Sequence, residues 1–129
     1  MLGREAELAA IRSMIIDERA RLVTLTGAGG SGKTRLALTA AERLFEWFAA
    51  RVFFVPLASV TDPELVGAAI AQAVGATDPS RAPLPAVIAN LRSTETRSLL
   101  VIDNFEQVID AAPILSELLT DCSELTILV

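Results

Sequence analysis

Gly27-Ala28-Gly29-Gly30-Ser31-Gly32-Lys33-Thr34 fits G-x-x-x-x-G-K-[ST], a loop whose successive backbone N–H groups wrap the phosphates of a nucleotide. Arg21-Leu22-Val23-Thr24-Leu25-Thr26 leads into it and reads as a strand of aliphatic and β-branched residues. Arg35 to Phe48 leads out of it, rich in Ala, Leu, Glu and Arg without Gly or Pro, and reads as a helix. Strand, glycine loop and helix together turn a short pattern into a candidate site. Lys33 is also the single lysine of the chain, every other basic residue being arginine, so a surface lysine that drifted into register is a poor account of it.

Each residue type has its own task. Gly27, Gly29, Gly30 and Gly32, with Ala28 and Ser31 between them, let the main chain approach an anion closely. The first turn of the helix begun at Gly32 carries unpaired N–H groups and the positive end of the helix dipole. Lys33 brings a compact positive charge to the β- and γ-phosphates. Thr34 offers a hydroxyl to Mg²⁺, a hard cation that keeps several waters. Arg35 comes next on the helix; it is counted with the nucleotide-binding residues, though its simplest reading is a solvated charge.

A second stretch is Ser98-Leu99-Leu100-Val101-Ile102-Asp103, aliphatics running into an acid. In a buried parallel strand the C-terminal end faces the ligand crevice, which would bring Asp103 beside the phosphates as a Walker B acid for Mg²⁺. Val52-Phe53-Phe54-Val55-Pro56-Leu57 is a further apolar strand, placed at an edge or ending there because Pro56 lacks an N–H. These elements predict an α/β fold: a three-layer α/β/α P-loop NTPase sandwich on a mainly parallel sheet.

The remaining elements follow from periodicity and punctuation. Residues 4–18 carry Leu8, Ile11, Met14 and Ile15 at helical spacing. In the helix after the loop, Leu36, Ala37, Ala40, Leu44 and Trp47 form the face toward a sheet, with Arg43 and Glu46 outside. Trp47 and Phe48 read as packing rather than as a base stack. Asp62-Pro63-Glu64 starts a helix that Gly75 ends. Residues 76–85, with Pro79, Pro83 and Pro85, read as a loop, followed by a helix over 85–93. Asp110 is expected to cap a helix over 111–121, and a last strand spans 125–129. No turn or cap follows that strand, so residues 1–129 are expected to be the N-terminal core of a longer nucleotide-binding domain, interrupted after its fourth strand.

Bulk properties remove whole classes of function. Among 129 residues there is one cysteine, Cys122, and no histidine, which excludes internal disulfides, Cys/His zinc sites and His-based catalysis. Mean hydropathy is high at +0.49, yet no apolar run reaches the ~18 residues of a membrane span. The N-terminus lacks the order of a signal peptide, which points to the cytoplasm. Net charge is −5 with 5% aromatic residues and no run of Lys or Arg. The expectation from this is that the segment makes no direct nucleic-acid contact.

Leu2-Gly3-Arg4-Glu5 resembles the hydrophobic-Gly-Arg-Glu opening motif of the STAND class of signal-transduction ATPases, NB-ARC-type domains included. The loop and its flanks, Leu22 to Gly27 and Gly29 to Ala37, are similar to those of bacterial AfsR-like and large LuxR-like regulators. Leu99-Leu100-Val101-Ile102-Asp103-Asn104-Phe105-Glu106 is similar to their second motif. The resemblance covers essentially the whole chain. It implies ATP/ADP with Mg²⁺, Gly3 and Arg4 near the adenine, and Thr34 and Asp103 on the metal. It also implies sheet order 2-3-4-1-5, the fifth strand lying beyond this sequence, and as partners the downstream domains and possible self-association.

One departure bears on catalysis. Many related ATPases place glutamate directly after the Walker B Asp to polarise water; here Asn104 stands there, with Glu106 the nearest acid. The expected function is a nucleotide-dependent switch in signalling or transcription regulation, with slow hydrolysis at most through Lys33, Asp103 and Glu106. Two alternatives remain: a small-molecule phosphotransferase, for which Arg81, Arg92 and Arg97 are a sparse lid, and a non-catalytic interaction module.

Overall fold

Ser98–Asp103 forms β3, five of its six residues buried. A strand covered by helices on both faces must be apolar, and this one is between Ser98 at its start and Asp103 at its end. In the computed structural model, which describes residues 5–25, 30–49, 51–76, 82–93, 96–103 and 105–129 (without the side chains of 30, 31 and 105–107), β3 sits inside a four-stranded sheet. The other strands are β1 (Leu22–Val23), β2 (Val52–Pro56) and β4 (Leu125–Leu128). All pairings are parallel and the order is β1-β4-β3-β2, the 2-3-4-1 order the resemblance implies. Pro56 lies on an edge strand, as its missing N–H requires.

β1 is shorter than the six residues expected, of which Thr26 lies outside the described residues. Its main-chain bonding nonetheless continues past the ladder: the Ile127 N–H donates to the Arg21 carbonyl (2.8 Å), and the Leu25 N–H to the Val129 carbonyl. Alternation along the strands separates two apolar layers. Val23, Leu99, Val101 and Leu128 pack under α1 (Glu5–Arg12) and α2 (Gly30–Arg43), with Leu8, Ile11, Leu36, Ala40, Leu44 and Phe48. Val55, Leu100, Ile102, Leu125 and Ile127 pack on the other face against α3 (Val66–Val74), α4 (Pro83–Arg92) and α5 (Ala112–Asp121).

Several element ends differ from expectation for local reasons. The first helix is α-helical to Arg12 and then widens into a π turn over Ser13–Asp17 that keeps Ile15 buried. α2 begins two residues before Gly32 and gives way to turns after Arg43. α4 begins at Pro83, inside the expected loop, since a proline in a first helical turn gives up no bonded N–H. Asp110 does not cap α5: 3₁₀ turns over Phe105–Ala111, broken at Val108 (φ −130°, ψ 37°), come first, and Ala111 holds the cap position. Asp62 does cap, its Oδ1 accepting from the Glu64 N–H at 3.0 Å, and Gly75 ends α3 with φ 74°.

Candidate phosphate and metal site

β1 and β3 are not neighbours; β4 lies between them. Their C-terminal ends nevertheless open on the same side of the sheet, because all strands run one way. α2 begins there, so its first N–H groups and the positive end of its dipole face the crevice beyond β3. Gly32 and Lys33 complete that first turn and Thr34 follows them, each half-buried, while Arg35 is exposed, as a solvated charge would be.

Asp103 closes β3, half-buried, in register with Pro56. The Thr34 hydroxyl lies 2.9 Å from Asp103 Oδ1 and 3.0 Å from Oδ2, donating a bifurcated hydrogen bond. Residues 69 apart in sequence thus place one hydroxyl and one carboxylate, both hard oxygen donors, within contact. Mg²⁺ is typically held by one or two protein oxygens, with water and phosphate filling the rest of its shell; this pair fits that demand. The Asp103 carbonyl accepts from the Leu57 N–H at 3.0 Å, which ties the end of β3 to the end of the edge strand and fixes where the carboxylate emerges.

The other expected site residues are distributed as follows. Gly30 and Ser31 belong to the first turn of α2. Gly3, Arg4, Gly27, Ala28, Gly29 and Asn104 lie outside the described residues, and Glu106 is described only as main chain, in the turns after β3. Trp47 and Phe48 are not at the site: Phe48 is fully buried under the sheet, and Trp47 lies beyond the C-terminal end of α2, against Arg97 and Arg19 at the other end of the sheet. Among the described residues no cluster of three or more His, Cys, Asp or Glu could hold a metal, and no helix is long and apolar enough to cross a membrane.

A parallel α/β sheet in this order, with Gly30 and Gly32 at the start of α2 and a carboxylate at the end of β3 in contact with Thr34, defines the P-loop NTPase fold. The chain belongs to the AAA domain family, whose model matches residues 16–128. It is 37% identical over 129 residues to an uncharacterized protein of Mycobacterium tuberculosis, covering 98% of this chain and 32% of that one. It is 43% identical over 112 residues to a protein of the same organism named "Putative HTH-type transcriptional regulator", covering 84% of this chain and 12% of that one. The chain therefore spans about a third or less of these relatives. Among solved structures it superposes on the Cdc6p protein of Pyrobaculum aerophilum with a TM-score of 0.74 at 17% identity, covering 98% of this chain and 38% of that one. The ORC1 protein of Aeropyrum pernix, solved in complex with DNA, gives 0.71 at 23% identity, covering 99% and 38%.

One expectation is overturned here. Net charge was read as excluding nucleic-acid contact, but this fold occurs in a chain solved on DNA, and a relative carries a helix-turn-helix regulator's name. The physical reason is that whole-chain charge sums over all surfaces, whereas contact with a polyanion depends on local charge. An acidic total is compatible with a basic edge.

Proposed function

We propose that this chain is the ATP/ADP–Mg²⁺ binding core of a STAND-type regulatory ATPase. In this reading it acts as a cytoplasmic nucleotide-dependent switch in transcription regulation or signalling, and hydrolyses slowly at most. The observation that carries the reading is the contact between Thr34 and Asp103 beside Lys33 at the start of α2. The glycine loop and the first-turn N–H groups would cradle the phosphates, and Lys33 would neutralise charge on the β- and γ-phosphates. Thr34 and Asp103 would hold the magnesium, which when bound offsets phosphate charge and orients the γ-phosphoryl group. Gly3 and Arg4 would lie by the adenine. Asn104 in the place of a water-polarising glutamate, with Glu106 further along, favours a long-lived bound state, which suits a switch better than a turnover enzyme.

As a core within a longer protein, such a unit would pass the difference between its ATP and ADP states to neighbouring domains or to a second copy. The regulator-named relative supports transcription as the setting. Titration with a fluorescent ATP analogue, with and without Mg²⁺, tests the reading. Binding is expected to tighten with Mg²⁺ and to weaken at least tenfold, by roughly 1.4 kcal/mol or more, in Lys33→Ala. Asp103→Ala is expected to weaken Mg²⁺-ATP more than metal-free ATP. Equal affinity in wild type and Lys33→Ala would overturn the proposal, and equal losses with and without metal would remove Asp103 from the metal.

A further inference from the structure

The site above uses one end of the sheet. At the other end, the residue entering each of three strands is an arginine: Arg21 before β1, Arg51 before β2 and Arg97 before β3, with Glu124 before β4. Because the strands are all parallel, the topology brings these four to one end of the sheet in the strand order Arg21, Glu124, Arg97, Arg51; Arg97 is level with Glu124, whereas Arg21 is level with Thr126 and Arg51 with Ser98. Arg19 joins the rim just before β1, held in left-handed backbone at φ 57°.

These arginines are differently employed. Arg21 serves the scaffold, donating to the Leu125 carbonyl at 3.1 Å and to the Cys122 carbonyl. Arg51 donates from Nε to Ser98 Oγ at 3.1 Å and leaves its buried Nη2 without a partner. Arg97 and Arg19 both lie on Trp47, their Cζ atoms 4.1 and 5.4 Å from the ring centroid. Among the described residues neither makes an ion pair with a carboxylate. A shallow pocket opens between Arg19, Arg21, Trp47, Arg97, Glu124 and Thr126. Stacking on an indole fixes the plane of a guanidinium while leaving its N–H edge able to donate to an anion.

We infer that this rim is a nucleic-acid contact, Arg19 and Arg97 taking backbone phosphates and the Arg97–Trp47 stack offering a platform to an unpaired base. Phosphate oxygens match the fork of a guanidinium, and bases stack on guanidinium planes as they do on aromatic rings. A carboxylate-rich protein segment would meet the charge but has no use for the planar stack, which is why the nucleic acid is favoured. The acidic remainder of the chain would orient a polyanion toward this rim. The inference is independent of nucleotide binding at the opposite end.

Fluorescence anisotropy with a labelled oligonucleotide, single-stranded and duplex, in rising salt tests it. Binding is expected to weaken with salt and to favour the single strand. Arg19→Asn/Arg97→Gln, in which Asn tolerates the left-handed backbone, is expected to bind roughly tenfold more weakly, with a log K against log[salt] slope shallower by about 2. Circular dichroism melting establishes that this variant is folded. Glu124→Gln, which removes the rim's acid and leaves the stack in place, is expected to tighten binding. Absence of salt-dependent binding, indifference to both variants, loss of binding in Lys33→Ala, or equal displacement by polyglutamate would each overturn the inference.

Discussion

A single hydroxyl joins the two halves of the candidate site. Thr34 donates to both oxygens of Asp103, a bond of the kind worth about 1.5–3 kcal/mol when one partner is charged. Both groups are also suited to a metal, so the atoms that bond to each other here are those magnesium would recruit. At the same scale, Cys122 shows what burial does to a titratable group. Its thiol is buried at the end of α5, and desolvation, followed by the charge of Asp121, raises its pKa. The neutral thiol is the form the folded protein accommodates. As pH climbs past the ordinary thiol value, the unfolded chain ionises first, so stability is lost there and is untouched below it. Alkylation by iodoacetamide in mildly alkaline native buffer is therefore expected to be at least tenfold slower than in guanidinium chloride, roughly as thiolate fraction and access dictate. Equal rates would show the thiol to be open.

At the scale of elements, caps separate what was legible from what was not. The end of α3 was readable because a glycine followed an apolar helical run. There Gly75 sits at φ 74°, with the Ala76 N–H donating to the Ala71 carbonyl at 2.8 Å. A Cβ placed on Gly75 would meet nothing within 4 Å, so a substitution is penalised by backbone conformation alone. Gly75→Ala is expected to cost about 1 kcal/mol and Gly75→Asn less, measured by urea unfolding. A loss several times larger would point to packing that the open surroundings deny. The start of α4 was misread because three prolines looked like breakers, although Pro83 and Pro85 stand in a first turn. α5 begins within a residue of the expected place, but its cap differs: Asp110 looks like a cap, whereas Ala111 holds that position at the end of 3₁₀ turns kinked at Val108, and such turns leave no mark in residue type.

At the scale of the molecule, two apolar layers share one sheet, and their contributions are separable by substitution. Phe48 is 0% exposed under the α1–α2 face, whereas Phe45, three residues earlier, is 47% exposed. Phe48→Ala is expected to lose about 3–5 kcal/mol and Phe45→Ala only about 0.5 kcal/mol, read as shifts of the urea midpoint. Similar losses would mean that the turns after α2 pack differently. The phosphate loop was legible at once because its residues are consecutive. The basic rim was not, since residues 21, 51 and 97 come to one end of the sheet only through the parallel topology, and no composition count registers that.

The insertion of β4 between β1 and β3 has a bearing on biosynthesis. Until Leu125–Leu128 has left the ribosome, the strand that carries the glycine loop has no partner in the sheet, and the carboxylate strand lacks one of its two neighbours. A nascent polypeptide halted before that segment would hold the loop, the lysine and the threonine, yet nothing would bring them within reach of Asp103. Competence to grip a ligand should arrive abruptly, only once that segment has emerged.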